Sequence, residues 1–391
     1  MSKRMRASLA IAGGLVCACA QAQDGGPAAP ASGSPLTAHV AGSSVTLYGL
    51  IEATASDVDH ATATNGKLVS FQAPWFSGSR LGFTGTHPFD DDLAGIFKLE
   101  AEYVPQTGAM GTSNVIFNRD AWAGFLSPTW GKLTFGRQDA LGRDISAIYG
   151  DPYGAAAVGT DEGGYTNQNN FKALVNYGGS ATGSRMDNGV VWKKAWRSGL
   201  VAGLGFQFGG TAGNQQRGQT KSAALGYNLG ALHVAGFYTA ANVASHRDRA
   251  ASLGANYQWD LVRVGGGWYR YTGGQSPRLQ GRRDNAYTAH VKFTPTTRWD
   301  FTLGYLRIDA SDAALDAGGN VLNPFADVSA ATKIASGARD TIYGAAMLHL
   351  DKASDVYVAA DHLKLTEGYR VSSAPGSMHQ NELAVGLRYK F

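Results

Sequence analysis

The chain is short of cysteine, of long apolar runs and of surplus charge, and each shortage narrows what it can be. Its only two cysteines, Cys17 and Cys19, lie near the N-terminus. Residues 1–22 are predicted to be a secretory signal peptide. Lys3, Arg4 and Arg6 give a positive start, a short apolar run follows, and Ala20-Gln21-Ala22 forms an A-x-A cleavage site. Cleavage there removes both thiols, which excludes disulfide and thiol chemistry downstream. The signal holds three of the 34 basic residues and none of the 30 acidic ones, so the remainder is close to neutral. Nucleic-acid binding, which needs a strongly basic face, is not expected.

No later segment reads as a transmembrane helix. The nearest, 199–210, alternates and is broken by glycines. A membrane crossing would therefore use strands of ~9–11 residues. The catalytic inventory is equally thin. The nine histidines are never closer than 13 residues, so no local zinc pair exists, and neither a G-x-S-x-G elbow nor a Walker loop is present. Gly203-Leu204-Gly205 lies mid-strand with no helix after it, which argues against a dinucleotide turn. The expectation is that the chain is not an enzyme and holds no cofactor and no metal.

What is abundant is glycine, at 52 residues, with 17 tyrosines and 16 phenylalanines. That mix suits many strands, tight turns and aromatic girdles. Residues 23–43 are rich in Ala, Gly, Pro and Ser without periodicity, and are predicted to be a flexible lead-in. From 44 to 391 the chain reads as one domain of sixteen alternating segments, the second at 71–86 and the last at 380–391. Short gaps fall at 87–92, 127–130, 194–198, 230, 260, 296–298 and 352–353. Long ones fall at 58–70, 105–114, 139–184, 210–219, 241–248, 272–283, 310–338 and 366–379. Short turns at one rim and long loops at the other predict an all-β, 16-stranded antiparallel transmembrane β-barrel.

The closing stretch shows the alternation well. Leu383, Val385, Leu387, Tyr389 and Phe391 share one face; Glu382, Ala384, Gly386, Arg388 and Lys390 share the other. An exposed apolar edge like this would template aggregation in water, whereas a closed barrel gives it a partner on each side. Trp130, Trp196, Trp259 and Trp299 sit beside short turns and suggest an interfacial belt. A water-soluble sandwich of sixteen strands would leave too many apolar faces uncovered.

Several motifs carry a family likeness. Ser44-Val45-Thr46-Leu47-Tyr48-Gly49, Ser79-Arg80-Leu81-Gly82-Phe83-Thr84-Gly85 and Arg119-Asp120-Ala121-Trp122-Ala123-Gly124-Phe125 come first. Phe135-Gly136-Arg137-Gln138, Ser184-Arg185-Met186-Asp187-Asn188 and the closing Leu387-Arg388-Tyr389-Lys390-Phe391 follow. In order and spacing the chain resembles the general diffusion porins of Gram-negative bacteria, particularly the β-proteobacterial branch, from about residue 44 to 391. The resemblance implies a homotrimer in the outer membrane, in contact with its lipid and lipopolysaccharide. Each barrel would carry a water-filled pore for small hydrophilic solutes, narrowed by an inward-folded loop three.

The 139–184 segment fits that loop. By resemblance Asp151, in Asp151-Pro152-Tyr153-Gly154, with Asp161 and Glu162 after it, would supply acceptor charge at the constriction. Opposite them the family places a basic ladder on the wall. Parity nominates Arg80, inward with Gly82 and Thr84; Arg119, with Ala121 and Ala123 and opposite Trp122; and Arg185, opposite Met186, Val190 and Trp192. Arg137 has outward parity with Leu133 and Phe135, where a mid-bilayer charge would cost ~2–4 kcal/mol; it is expected at a subunit contact. Asp120 shares the outward parity, which sets it at odds with this register. Phe391 matches the family's terminal assembly signal.

The expected function is passive diffusion across a transverse field, with modest anion preference because arginines dominate the lumen. A substrate-specific anion channel with a saturable site is the alternative. An outer-membrane barrel hydrolase would need a Ser/His pair that no local motif offers.

Overall fold

Alternating apolar and polar residues can satisfy every backbone group in a bilayer only if the sheet closes on itself. In the computed structural model, which describes residues 36–72, 74–161, 170–275 and 279–391, the sheet does close. Eighteen strands form one antiparallel sheet. Two of them, β1 (Leu36–Val40) and β3 (Leu68–Gln72), are five-residue strands that pair with β2 (Ser43–Val58). The other sixteen form the barrel wall.

From β2 the wall runs through β4 (Arg80–Pro88), β5 (Ala94–Glu102), β6 (Asp120–Ser127), β7 (Gly131–Asp139) and β8 (Arg185–Ala195). It continues through β9 (Leu200–Gln207), β10 (Thr220–Leu229), β11 (Leu232–Val243), β12 (His246–Trp259) and β13 (Val262–Gly273). It ends with β14 (Arg282–Thr296), β15 (Trp299–Ala314), β16 (Ile334–His349), β17 (Ser354–Leu365) and β18 (His379–Lys390). Closure is made by β18 against β2, from Glu382 opposite Val58 to Lys390 opposite Leu50.

Burial follows the predicted parity. Leu383, Val385, Leu387 and Tyr389 are exposed on the outside, while Ala384 beside them is fully buried. On β12, Leu253, Tyr257 and Trp259 are exposed, and Ser252 and Asn256 are buried. Trp130, Trp196, Trp259 and Trp299 are all exposed at the short-turn rim.

The structure corrects several local expectations. The second barrel strand begins at Arg80 rather than at 71, because residues 74–79 leave the wall and 68–72 pair separately with β2. The long gap expected at 241–248 is a two-residue turn. Its polar residues continue the ladder, with Ala241 opposite Asp248 and Asn242 opposite Arg247. Residues 36–40, expected to belong to a flexible lead-in, are a strand paired with β2, and 23–35 lie outside the described residues. The signal at 1–22 lies outside the described residues. Finally, the register assumed around Arg119 is inverted, as described below.

Candidate pore lining

The wall face that carries no exposed apolar rows bears two kinds of structure: the described parts of the segment after β7, and a lattice of ion pairs. The segment opens with α1 (Leu141–Gly150), all ten residues of which are buried. It lies against the wall face opposite the exposed apolar rows. Gly254 on β12 and Gly267 on β13 make this possible, since a Cβ on either would fall 2.3–2.4 Å from the Tyr149 ring. The Tyr149 hydroxyl donates to Ser252 Oγ at 2.9 Å, and Asn256 Nδ2 donates to the carbonyls of Ile148 and Ala156 at 2.7 Å each. Arg263 Nη2 donates to the Pro152 carbonyl at 2.6 Å. Tyr153 reaches Thr302 on β15.

A 3-10 turn, Asn170–Gly178, returns along the wall. Asn170 Nδ2 donates to Asp361 at 3.1 Å, Arg339 Nη2 donates to the Asn170 carbonyl at 2.8 Å, and Tyr177 donates to Asp284 at 2.6 Å. Lys172 donates to the Phe76 carbonyl in the 74–79 stretch. That stretch is anchored by Glu52, which accepts from the Phe76 and Ser77 amides at 2.7 and 3.0 Å and from Tyr357 at 2.9 Å. Phe76 packs edge-on against Tyr153 and Tyr357, with centroids 4.4 and 4.6 Å apart.

Arg80 and Arg119 come together on one acid pair. Arg119 is buried and pairs with Glu100, and with Glu102 at 2.8 Å; Arg80 Nη1 lies 3.9 Å from Glu100. Arg119 precedes the strand, which starts at Asp120, so strand parity does not govern it. On β6 it is Asp120 and Trp122 that face inward and are buried, while Ala123 and Phe125 are exposed. The Asp120 carboxylate pairs with Lys98 at 2.9 Å, which removes the misfit of an outward acid. A one-residue slip swaps every side chain to the other face, and the sequence had no marker for where the strand began.

Arg185 is buried and shares Asp139 with Arg143, at 3.0 and 3.1 Å. Met186 is buried as well, contrary to its expected outward parity, because the ladder slips between Gly136 and Gln138. Arg137 is partly exposed and pairs with Asp187 of its own chain. Its Nε also donates to the Asn118 carbonyl at 2.8 Å.

Among the loop acids, Asp151 is buried. Its Oδ1 accepts from the Tyr153 amide at 2.7 Å. Burial pushes its pKa up, and the nearby Lys172 ammonium pulls the other way. Burial likewise lowers Lys172 to about 8. Asp161 lies 4.0 Å from Lys132, and its carbonyl accepts from Lys193. Glu162 lies outside the described residues.

Parity searched only among arginines misses the lysines. Lys98, Lys132, Lys193 and Lys292 all stand on the same face as the inner acids, and each alternates with an outward apolar or aromatic neighbour. The acids beneath them were missed too, because their roles depend on cross-strand partners. Among the described residues, no cluster of three or more potential metal ligands is present.

The Gram-negative porin family model matches residues 7–368. The chain belongs to that family. Among curated relatives, it is 28% identical over 272 residues to an outer membrane porin protein of Bordetella pertussis. That match covers 59% of this chain and 65% of the relative's length. Among solved structures, the barrel superposes on an anion-selective porin from Comamonas acidovorans with a TM-score of 0.67 and 18% identity, covering 89% of this porin and 100% of that chain. It superposes on OmpF of Salmonella typhi, in complex with daunomycin, with a TM-score of 0.60 and 16% identity, covering 91% and 100%. At these identities the solved structures speak to the fold, which they share.

Proposed function

We propose that this porin is a passive outer-membrane channel for small hydrophilic solutes and ions, with modest anion preference. One observation carries the sign of that preference. Along the inner wall the carboxylates lie underneath and the cations lie on top. Arg80 is 19% exposed over Glu100 at 3%, Lys98 is 17% exposed over Asp120 at 3%, and Lys390 is 25% exposed over Asp355 at 3%. Lys292 and Arg388 stand in the same way over Asp300 and Glu52. Glu102, at 28% beside Arg119 at 3%, and Asp161, at 20% beside Lys132 at 7%, break the pattern.

A solute in the lumen therefore meets ammonium and guanidinium groups first, with their counter-charges held in lower dielectric behind them. Anions gain from that potential and cations lose, by an amount that salt reduces. Mechanistically no bond is made or broken. The segment after β7 would narrow the lumen and set the size limit, with Asp161 and Glu162 supplying acceptor charge and Arg80, Arg119 and Arg185 forming the basic side. The family likeness supports a homotrimer in contact with outer-membrane lipid and lipopolysaccharide, Arg137 at a subunit contact, and secretion directed by residues 1–22. The same anion preference appears in the name of the Comamonas relative.

Reversal potential in a planar bilayer under a potassium chloride gradient tests this reading. The wild-type channel should favour chloride, and R80E combined with K98E should shift the potential toward potassium. Clear cation preference in the wild type would sink the proposal. Current that saturates at low solute concentration would instead favour the substrate-specific channel.

A further inference from the structure

Two histidines meet on the outer wall beside the seam, where diffusion through the lumen does not use them. His362 on β17 shares the outward face with Val358 and Ala360, and His379 on β18 shares it with Asn381 and Leu383; all six are exposed. Both histidines stand toward the long-loop rim, beyond the apolar row of Val358, Leu383 and Val385. Register sets Asn381 opposite His362 and Lys364 opposite His379, so the two imidazoles are diagonal neighbours across the strand pair. Their ring centroids lie 6.0 Å apart, with the planes 24° from parallel. No spacing joins these residues in the sequence; the pairing of β17 with β18 brings them together.

The hydrogen bonds around His362 fix which of its nitrogens is free. Asp59 Oδ2 accepts from Asn381 Nδ2 at 2.6 Å, and Asp59 Oδ1 accepts from the Asn381 backbone amide at 2.7 Å. An ionised carboxylate only accepts, so Asn381 must turn its NH2 group to Asp59 and its side-chain oxygen to His362. That oxygen lies 2.7 Å from His362 Nδ1, which is therefore the protonated nitrogen. Nε2 is left with its lone pair. The His60 ring lies 2.8 Å from Asp59 Oδ1 and completes the clamp. On the other strand, Ser377 Oγ accepts from the His379 amide at 3.1 Å and donates to its carbonyl at 2.7 Å. The His379 imidazole itself makes no hydrogen bond among the described residues.

We propose that His362 and His379 form a two-histidine site for a borderline divalent metal ion, Zn2+ or Cu2+, with water completing the coordination. A metal–nitrogen bond of about 2.0–2.1 Å puts each ring centroid about 3 Å from the ion, so two such rings stand about 5–6 Å apart at a tetrahedral or wider angle. The spacing of His362 and His379 falls in that range. Imidazole nitrogen selects these ions over Mg2+ and Ca2+, which take oxygen ligands. The chain from His362 through Asn381 to Asp59 holds the tautomer and the ring angle, as partners behind a ligating histidine do in metal sites. Lys364 is the cation opposite His379 in register, and its flexible stem lets the ammonium swing into water. The site faces the long-loop rim, which is the external side of such a barrel.

The test uses the purified, untagged porin in detergent, treated with chelator and then titrated with Cu2+ alone. Electron paramagnetic resonance reads the number of nitrogens on the copper, and calorimetry with Zn2+ reads the affinity. The wild type should bind one ion per barrel through two nitrogens. H362A and H379A should each lose one nitrogen from the spectrum and weaken binding at least tenfold. N381L, which frees the His362 ring, should keep both nitrogens but bind about tenfold more weakly. H233A, on the inner wall, should match the wild type. An excess of Mg2+ should not compete. Wild-type affinity and nitrogen count in H362A or H379A would place the ion elsewhere and overturn the site. Competition by Mg2+ would assign the ion to oxygen ligands such as Asp59 and overturn it equally. Unchanged affinity in N381L would overturn the orienting role of Asn381. These side chains face away from the lumen, so conductance and reversal potential of the variants should match wild type. That separates this result from the channel reading, which could fail while metal binding holds.

Discussion

The Lys172 ammonium lies in the 3-10 turn with 1% exposure, and donates to the Phe76 carbonyl across the junction between the long loop and the 74–79 stretch. Burial lowers its pKa from 10.5 to about 8, although Asp151 and Glu52 pull it upward. The charged form is therefore the costly one in the docked loop. Between pH 8 and 10.5 the released loop binds a proton that the docked loop does not, so docking strengthens as pH rises through that window. The slope is at most roughly 1.4 kcal/mol per pH unit. Spontaneous closures in single-channel records should become rarer from pH 7 to 10 in the wild type, and K172M should show no such trend. Equal trends in both would remove Lys172 from this account. No motif singled out this lysine, because its partner belongs to a stretch predicted to be strand.

At the level of elements, the strands were legible because hydrocarbon on one side and water on the other enforce a period of two. Their ends were less so. Arg247 and Asp248 read as loop because they are polar, yet they belong to β12, beyond the apolar band. The inner ion pairs were the least legible, since Glu100, Asp120 and Lys98 acquire partners only once register is fixed. The seat of α1 depends on the same precision. Gly254 and Gly267 leave a hollow that the Tyr149 ring fills. Alanine at both positions should push α1 off the wall at a cost of about 1–3 kcal/mol, and toward the lumen because the wall cannot give. Conductance should fall while the folded barrel persists, and Tyr149→Ala in that background should restore it. A normal conductance in the double-alanine variant would show that α1 does not border the permeation path.

For the whole molecule the decisive element is the seam. The β2 edge is shared: residues 43–47 pair with β1, and residues 50–58 pair with β18. Between them Gly49 exchanges two backbone hydrogen bonds with Phe391, at 2.9 and 3.1 Å. The absence of a side chain on Gly49 admits the Phe391 ring, since a Cβ there would fall 2.3 Å from it. The terminal strand was expected to close the barrel, and it does; that residues 36–40 would cover the part of β2 beyond the chain's end was not legible in an Ala- and Pro-rich lead-in. Removing Phe391 deletes two hydrogen bonds worth about 0.5–1.5 kcal/mol each, little against the nine residue pairs that β18 keeps with β2. A formed barrel should therefore survive the deletion and conduct as before. If Phe391 is instead needed when the strand is first recognised, the loss falls on assembly. Heat-resistant, assembled protein in outer-membrane fractions should drop sharply for the deletion, while channels that do form show wild-type conductance. Full assembly without Phe391 would confine its role to the seam, and altered conductance would mean that the seam itself had opened.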